Sequence, residues 1–542
     1  MPSPTSPDST RRLLVLGAVC MAALALPLAF SGGAVATPAI GRDLGGSPAA
    51  IAWITNAFML SFGSLLMAAG TLADRFGRRR LFAFGVAGFT LSSAALGFAP
   101  SILAVDLLRA AQGVAAAAAL AGGTAALAQE FDGHARTRAF SALGSTFGIG
   151  LAFGPVIAGA LIERFGWRAI FASGALAGAL SLGFGVPRMR ESRDPQARRL
   201  DLGGTLSFTA ALGAFTCGVI EAPSLGWTSP AVVSLLAGFV GFALLFVLIE
   251  TRSERPMLDL TLFRYPRFVG VQLLPIATCY CYIVLLVLLP LRFIGVDGHD
   301  EIHAAWLMLA ISAPMLVVPF VAATLTRWMS AGTISGIGLA LAALGLHLLN
   351  RALREGAADS AVLLPMLVIG TGAGLPWGLM DGLSVGVVPK SRAGMAAGIF
   401  STTRVAGEGI ALAISGAVLA AFAQRDLLSA MPAAPSAVAD AAARLATGDL
   451  AQAASRLPDV GAAGLRAAYH AAFAHLLDGL TAITLLCALA AFAFLSRVRV
   501  AEDAAEVAAE VAPPESRAGH AAEPGDAARP WPTRASPGHD VI

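Results

Sequence analysis

The stretch Gly70-Thr71-Leu72-Ala73-Asp74-Arg75-Phe76-Gly77-Arg78-Arg79-Arg80 separates two apolar runs. It holds one acid and four arginines. A loop this short and this basic, between two helices of membrane length, belongs on the cytoplasmic side, where arginine and lysine accumulate. That placement sets the sense of every later span.

Of the 542 residues, 56% are hydrophobic and 13% charged, and the mean hydropathy is +0.73. Soluble domains carry about a quarter charged residues. The chain is therefore expected to be an all-α polytopic membrane protein with the lipid bilayer as its surroundings. A β-barrel is excluded, because the apolar segments are continuous and do not alternate. The net charge of +3 says little, and Lys390 is the only lysine. The cysteines Cys20, Cys217, Cys279, Cys281 and Cys487 all fall inside apolar runs. Packing is the better reading for them, and neither a disulfide nor a metal is expected.

Fourteen apolar segments are expected, at roughly 13–40, 51–73, 81–98, 102–128, 139–162, 169–186, 202–220, 231–249, 268–293, 304–326, 333–349, 361–388, 393–422 and 471–495. The first resembles a secretory signal, with Arg11-Arg12 before it and Ala34-Val35-Ala36 near its end. Its apolar run exceeds the ~7–15 residues of a signal core, so an uncleaved first span is expected. With the N-terminus inside, the cytoplasmic loops hold Arg75 to Arg80, Arg136 and Arg138, the run 188–199, Arg252 to Arg267, Arg327, and Lys390 with Arg392. Arg42, Arg164, Arg168, Arg292, Arg351 and Arg354 fall on the outer side against the trend.

The expected organisation is a cytoplasmic tail (1–12), an N-terminal six-helix bundle (13–188) and a linker with two inserted helices (189–251). A C-terminal six-helix bundle follows (252–496), and then a disordered cytoplasmic tail (497–542), poor in apolar periodicity. Within the second bundle, 424–468 reads as an alanine-rich outer loop carrying short surface helices. The segment Leu325-Thr326-Arg327-Trp328-Met329-Ser330-Ala331-Gly332 stands where a second copy of the opening loop would fall, without its acid.

No phosphate loop is present, since Lys390 lacks its context, and Gly370-Thr371-Gly372-Ala373-Gly374 lies in an apolar helix. Neither cofactor, metal nor nucleic-acid partner is expected. Any transport is secondary, with a small-molecule substrate, driven by an ion gradient or by the substrate's own. Arg109 sits inside an apolar helix, where a charge costs about 2.5–3.5 kcal/mol. Asp106 is one turn away on the same face. The helix around 139–162 carries Gly150, Gly154 and Gly159 at near-helical spacing. These form a stripe without side chains, and Pro155 can kink the helix. Packing and hinge are both open readings there. Arg404 and Glu408 share a helix face, so Glu408 is expected as a paired, charged residue. Asp381 has no cation at helical spacing and is the preferred proton carrier. His299, His303, Asp297, Asp300 and Glu301 meet no metal-site spacing and read as a solvated loop.

These motifs, taken in order over residues 11 to 500, resemble the major facilitator superfamily, and within it the fourteen-helix drug:proton antiporters. Gly70, Leu72, Asp74, Arg75, Gly77, Arg78 and Arg79 match its loop signature. Arg109, Gln112 and Gly113 match its fourth-helix motif, and Gly150, Gly154, Pro155 and Gly159 its fifth-helix motif. The stretches 166–171, 200–204, 226–230 and 255–264 add smaller matches. The resemblance implies two six-helix bundles plus two inserted helices, rocking in alternating access. It implies that Gly70, Asp74, Arg75, Gly77, Arg78 and Arg79 latch the halves together, that Arg109 is linked to proton coupling, and that Gln112 and Gly113 serve helix packing. One departure stands out. Aligned on Pro38, Ala29 and Ala34 replace the acid and asparagine many members carry in helix one. Coupling then falls to Asp106, Asp381 or Glu408, with Arg404 beside them.

The reading is a proton-driven exporter of small hydrophobic or amphipathic compounds in a bacterial inner membrane, with both termini cytoplasmic, and not an enzyme. A narrow metabolite exporter, an uncoupled facilitator and a non-transporting sensor are the alternatives.

Overall fold

The computed structural model describes residues 7–131, 133–193, 201–253, 256, 258, 260–354, 359–388, 393–430 and 435–495. The tail 497–542, residues 194–199 of the run 188–199, and Lys390 with Arg392 lie outside them. Sixteen helices carry the described chain. They are α1 (Pro7–Leu44), α2 (Pro48–Phe76), α3 (Arg78–Leu96), α4 (Ile102–Glu130), α5 (Gly133–Phe165), α6 (Arg168–Phe184), α7 (Leu202–Leu225) and α8 (Pro230–Arg252). There follow α9 (Pro266–Val296), α10 (Glu301–Leu325), α11 (Ala331–Arg354), α12 (Asp359–Gly386), α13 (Ala393–Ala430), α14 (Pro435–Ala446), α15 (Leu450–Arg456) and α16 (Gly461–Leu495).

The starts are written in the sequence. Ser47, Ser101 and Ser229 accept from the backbone three residues on, and Pro48 and Pro230 occupy first helical positions that need no donor. Asp201 and Asp300 cap α7 and α10 in the same way.

By length and apolarity, twelve helices among the described residues can cross a membrane, or thirteen if α5 counts as one span. The fourteenth expected segment is α3, a helix of 19 residues whose first turn is Arg78-Arg79-Arg80, so its apolar part is short. Helix α5 bends by 45° between Ala142–Leu151 and Phe153–Phe165. Pro155 explains the bend, because its ring opposes the carbonyl of Leu151 and its nitrogen cannot donate.

Two groups of helices form the body. In the first, α2 and α3 flank α4, and α1 lies on α5 and α6. In the second, α11 packs on α12 and α16, and α9 lies among α12, α13 and α16. The groups meet where α2 lies along α13 and α5 along α10. Gly63 leaves room for the Ala406 backbone, which a Cβ would approach to 2.8 Å. Of the two inserted helices, α7 bridges α2 and α13, whereas α8 packs chiefly on α7 and buries only Val232, Phe246 and Glu250.

Three expectations change. In the alanine-rich segment 424–468 short helices do form, α14 and α15, but the flanking helices take more of it than expected, since α13 runs on to Ala430 and α16 begins at Gly461. Its helix α14 is not a surface helix: Val438, Ala441, Ala442 and Leu445 are buried. Alanine buries little apolar area, so its spacing alone does not tell a buried helix from a surface one. The ninth span is not a uniform α-helix. It widens into π-helical turns at Cys279–Ile283 and Leu291–Val296, and α10 tightens into a 3₁₀ turn at Ala313–Leu316 around Pro314.

Finally, Asp297 is not merely solvated. At the end of the second π turn its carboxylate accepts from Arg292 Nε at 3.1 Å and contacts His470 Nε2 at 2.7 Å. Burial alone would raise this carboxyl, but the His470 hydrogen bond and the Arg292 charge outweigh it and hold it below its ordinary value. The pairing stabilises the fold above the unfolded carboxylate pKa of about 3.9, and that contribution disappears as pH falls through the lower folded value. Asp297→Asn leaves the Arg292 guanidinium, only 3% exposed, without its counter-charge. It is expected to lower stability by about 3 kcal/mol at neutral pH, read as a drop in the thermal transition of the purified protein.

Candidate functional site

The end of the molecule carrying residues 70–80 is here called the loop end. Gly77 has φ 114°, ends α2 and opens α3. Asp74 Oδ1 accepts from Arg78 Nη2 at 2.9 Å, and Arg78 also donates to Gln129 at the end of α4. The Arg78 amide donates to Ser192 O at 2.9 Å, and Arg80 lies 3.7 Å from Glu191. Arg11 donates to Glu130. These partners all belong to the first group and the segment after it. Arg75 stacks on Phe76, and a Cβ on Gly70 would meet open space. The loop therefore ties its own half together in this state, and Asp74 remains 43% exposed. Gly77→Ala is expected to cost about 1–2 kcal/mol, because alanine resists positive φ and its Cβ would press on Glu191. Melting of the purified variant measures this.

Arg109 is fully buried. Its Nε donates to Ile54 O at 2.8 Å, and Nη1 donates to Ala29 O at 3.2 Å and to Gln112 Oε1 at 2.5 Å. The guanidinium lies 4.4 Å from the Phe58 ring centroid. Gln112 Nε2 then donates to Ser93 Oγ at 2.7 Å. One side chain thus joins α1, α2 and α4, and its glutamine partner adds α3. A planar fork does this where a point charge cannot. The expected partner Asp106 makes no hydrogen bond to the guanidinium, although its charge acts on it, and its Oδ1 is buried without a hydrogen bond. Helical spacing placed the pair on one face, but the guanidinium turns toward the backbones of α1 and α2. Ala29, at the position where an acid was missing, supplies its carbonyl to Arg109. Gly113 lets α2 approach: a Cβ there would come 3.1 Å from Phe62 N and closer still to Phe58 O. Gly33 had no signal in the sequence, yet a Cβ on it would stand 3.1 Å from Arg109 Nη2.

The glycine stripe of α5 serves two partners. Cβ atoms on Gly150 and Gly154 would strike α1, at Leu24 O (2.6 Å) and Ser31 Cβ (3.0 Å). One on Gly159 would strike α10 of the other group, at Glu301 O (2.6 Å) and Ala305 Cβ (2.9 Å). Arg42 of α1 also reaches Glu301, at 2.9 Å. The two groups are therefore in contact at the end opposite the loop. Two of the arginines there that ran against the trend also have acid partners, Arg168 with Asp43 at 2.7 Å and Arg354 with Asp478 at 2.7 Å.

Toward the loop end, Arg404 of α13 pairs with Asp381 of α12 at 3.3 Å. Its guanidinium lies 5.9 Å from the ring centroid of Phe147 on α5 and 5.7 Å from that of Phe400. It thus touches both groups. This reverses the expected pairing. Arg404 reaches across to Asp381, 64% exposed, and Glu408, 7% exposed, is left one turn deeper. Spacing along one helix cannot show a partner supplied by the next.

Two helix groups closed at one end, with a charged cluster reaching between them from the other, form the architecture of a membrane transporter. The Major Facilitator Superfamily model matches residues 17–412, and the chain belongs to that superfamily. It is 36% identical over 391 residues to the multidrug resistance protein Stp of Mycobacterium tuberculosis, with 72% of each chain covered. It is 28% identical to the tetracenomycin C resistance and export protein of Streptomyces glaucescens, covering 71% of this chain and 72% of that one. The fold matches a solved bacterial homologue of the human lysosomal transporter Spinster, with a TM-score of 0.56 at 17% identity, covering 91% and 99% of the chains. It also matches a POT family transporter, with a TM-score of 0.58 at 12% identity, covering 90% and 96%.

Proposed function

We propose that this transporter exports small hydrophobic or amphipathic compounds by proton antiport, with Glu408 as the proton carrier. The relatives named for multidrug resistance and antibiotic export support the substrate class. The observation that carries the coupling is Glu408 itself, a buried carboxyl on the helix that crosses between the groups, one turn from an arginine engaged elsewhere. An ionised carboxylate is costly in such surroundings and protonates or finds a cation instead.

The basic loop faces the cytoplasm of a bacterial inner membrane, and both termini lie on that side. Residues 13–188 and 252–496 move as the two halves, with 189–251 inserted between them. The contacts of Gly159 and Arg42 with α10 close the outer side, and the exposed Asp74 and Asp381 mark the inward-open side. On reversal, Gly70, Asp74, Arg75, Gly77, Arg78 and Arg79 latch the halves at the cytoplasmic face. Energetics allow this: one pH unit is worth about 1.4 kcal/mol and 100 mV about 2.3 kcal/mol per charge.

The test is extrusion of ethidium and of quaternary amines from energised cells expressing the protein, against cells carrying the empty vector. Lower retained dye is expected. Equal retention for every compound of this class, at confirmed expression, contradicts the exporter reading.

A further inference from the structure

At the end opposite the loop, the hairpin of α14 and α15 stands between α13 and α16. Helix α14 packs on α13, and also on α2 of the first group and on the inserted α7. Its Ala443 and Ala446, with Thr447 after them, form one wall of a cavity of about 90 Å³. The other walls include Thr37, Ala49, Ile220, Leu288 and Ala417, from α1, α2, α7, α9 and α13. The hairpin thus covers the place where both groups and the insertion meet.

Its polar groups bind one another. Asp440 Oδ2 accepts from Arg444 Nε at 3.1 Å and lies 3.0 Å from Arg456 Nε, and Arg444 also donates to Gln452. Asp449 accepts from the Gln452 amide, and Thr447 donates to Arg444 O. Among the described residues, every side-chain hydrogen bond and ion pair of 435–456 closes within the hairpin. What holds it to the remainder is close apolar packing. Val438, Ala441, Ala442 and Leu445 are at most 1% exposed. The turn rests on the second π turn of α9, where a Cβ on Gly295 would stand 2.8 Å from Gly448 Cα. Other outer contacts are ion pairs, as between Arg42 and Glu301 or Arg354 and Asp478. Small apolar side chains can part and reseat without breaking a directional bond. Gly461, at φ 68° with open space where a Cβ would stand, opens α16 just beyond the hairpin.

We propose that α14 and α15 form a lid over the outer end, which lifts from α13 and α9 as one piece and reseats. The Asp440 bonds keep its two helices together as it moves. This motion is separate from that of the halves, because α13 and α9 belong to the lid's own half. Its part as the gate for substrate release rests on the exporter reading; its lifting does not.

The test compares Ala441→Cys and Leu445→Cys, both 0% exposed on the lid's inner face, with Leu349→Cys, equally buried in α11. Each full-length variant, in lipid nanodiscs, reacts with a sulfonated maleimide, followed on its own peptide by mass spectrometry. Ala442→Cys replaces either lid variant that fails to fold. The two lid positions are expected to react at equal rates, at least about tenfold faster than Leu349→Cys. Rates no faster than at Leu349→Cys overturn the lid. A fast Ala441→Cys beside a slow Leu445→Cys overturns its lifting as one piece. For the gate, Ala443→Cys is joined to Ala420→Cys on α13 with a bifunctional methanethiosulfonate, in vesicles. Ethidium export is expected to stop on linking and to return on reduction, and export undiminished by the link overturns the gate. No export by the reduced protein, with fast labelling of the lid retained, counts against the exporter reading alone.

Discussion

Arg109→Leu is expected to reduce export at least about a hundredfold and to lower stability by about 3 kcal/mol. The guanidinium holds α1, α2 and α4 together through Ala29 O, Ile54 O and Gln112 Oε1, and stacks on Phe58. Hydrogen bonds to charged groups contribute about 1.5–3 kcal/mol each. The two carbonyls keep their helical partners after truncation, so the loss falls mainly on Gln112 and on the junction between helices. Arg109→Lys separates charge from shape. A single ammonium cannot stand in for both Nε, which serves Ile54 O, and Nη1, which serves Ala29 O and Gln112 Oε1, so lysine should recover little export. Initial rates of dye export, normalised to folded protein, measure both. Wild-type rates in the lysine variant would assign the role to charge alone.

Glu408→Gln is expected to abolish export driven by a pH gradient while leaving movement of substrate down its own gradient. Glutamine keeps the size and the hydrogen-bonding capacity of the protonated acid and removes only the titration. Asp381→Asn is expected to act more weakly. Asp381 is 64% exposed and already paired with Arg404, so it lacks the buried setting on which the role of Glu408 rests. Counterflow of dye without a pH gradient, compared with gradient-driven uptake, separates coupling from binding. Coupled export by Glu408→Gln at the wild-type rate would remove this residue from the proton path.

Much of the fold was legible because membrane insertion is read along one dimension. Apolar length marked the spans, and Ser47, Ser229 and Pro48 marked their starts. The arginine loop and the Arg109 to Gly113 spacing pointed to the superfamily. What failed depends on which helix lies beside which. Arg404 turned from Glu408 to Asp381 because α12 offered the nearer acid. Arg109 turned from Asp106 to backbone carbonyls, which no sequence distinguishes. Gly33 stayed unnoticed because only the Arg109 side chain gives it meaning. The π-helical turns of α9 left no mark in a run of apolar residues, and α14 hid its buried face in alanine.

Proton antiport through Glu408 is tested most directly by proton release itself. Purified protein is reconstituted in vesicles holding a pH-sensitive dye, with the membrane potential clamped at zero, and ethidium is added outside. The wild type is expected to move protons opposite to ethidium, with both fluxes lost when a protonophore removes the gradient, and Glu408→Gln to move ethidium without protons. Ethidium transport by the wild type with no proton flux, or unchanged by the protonophore, would contradict it.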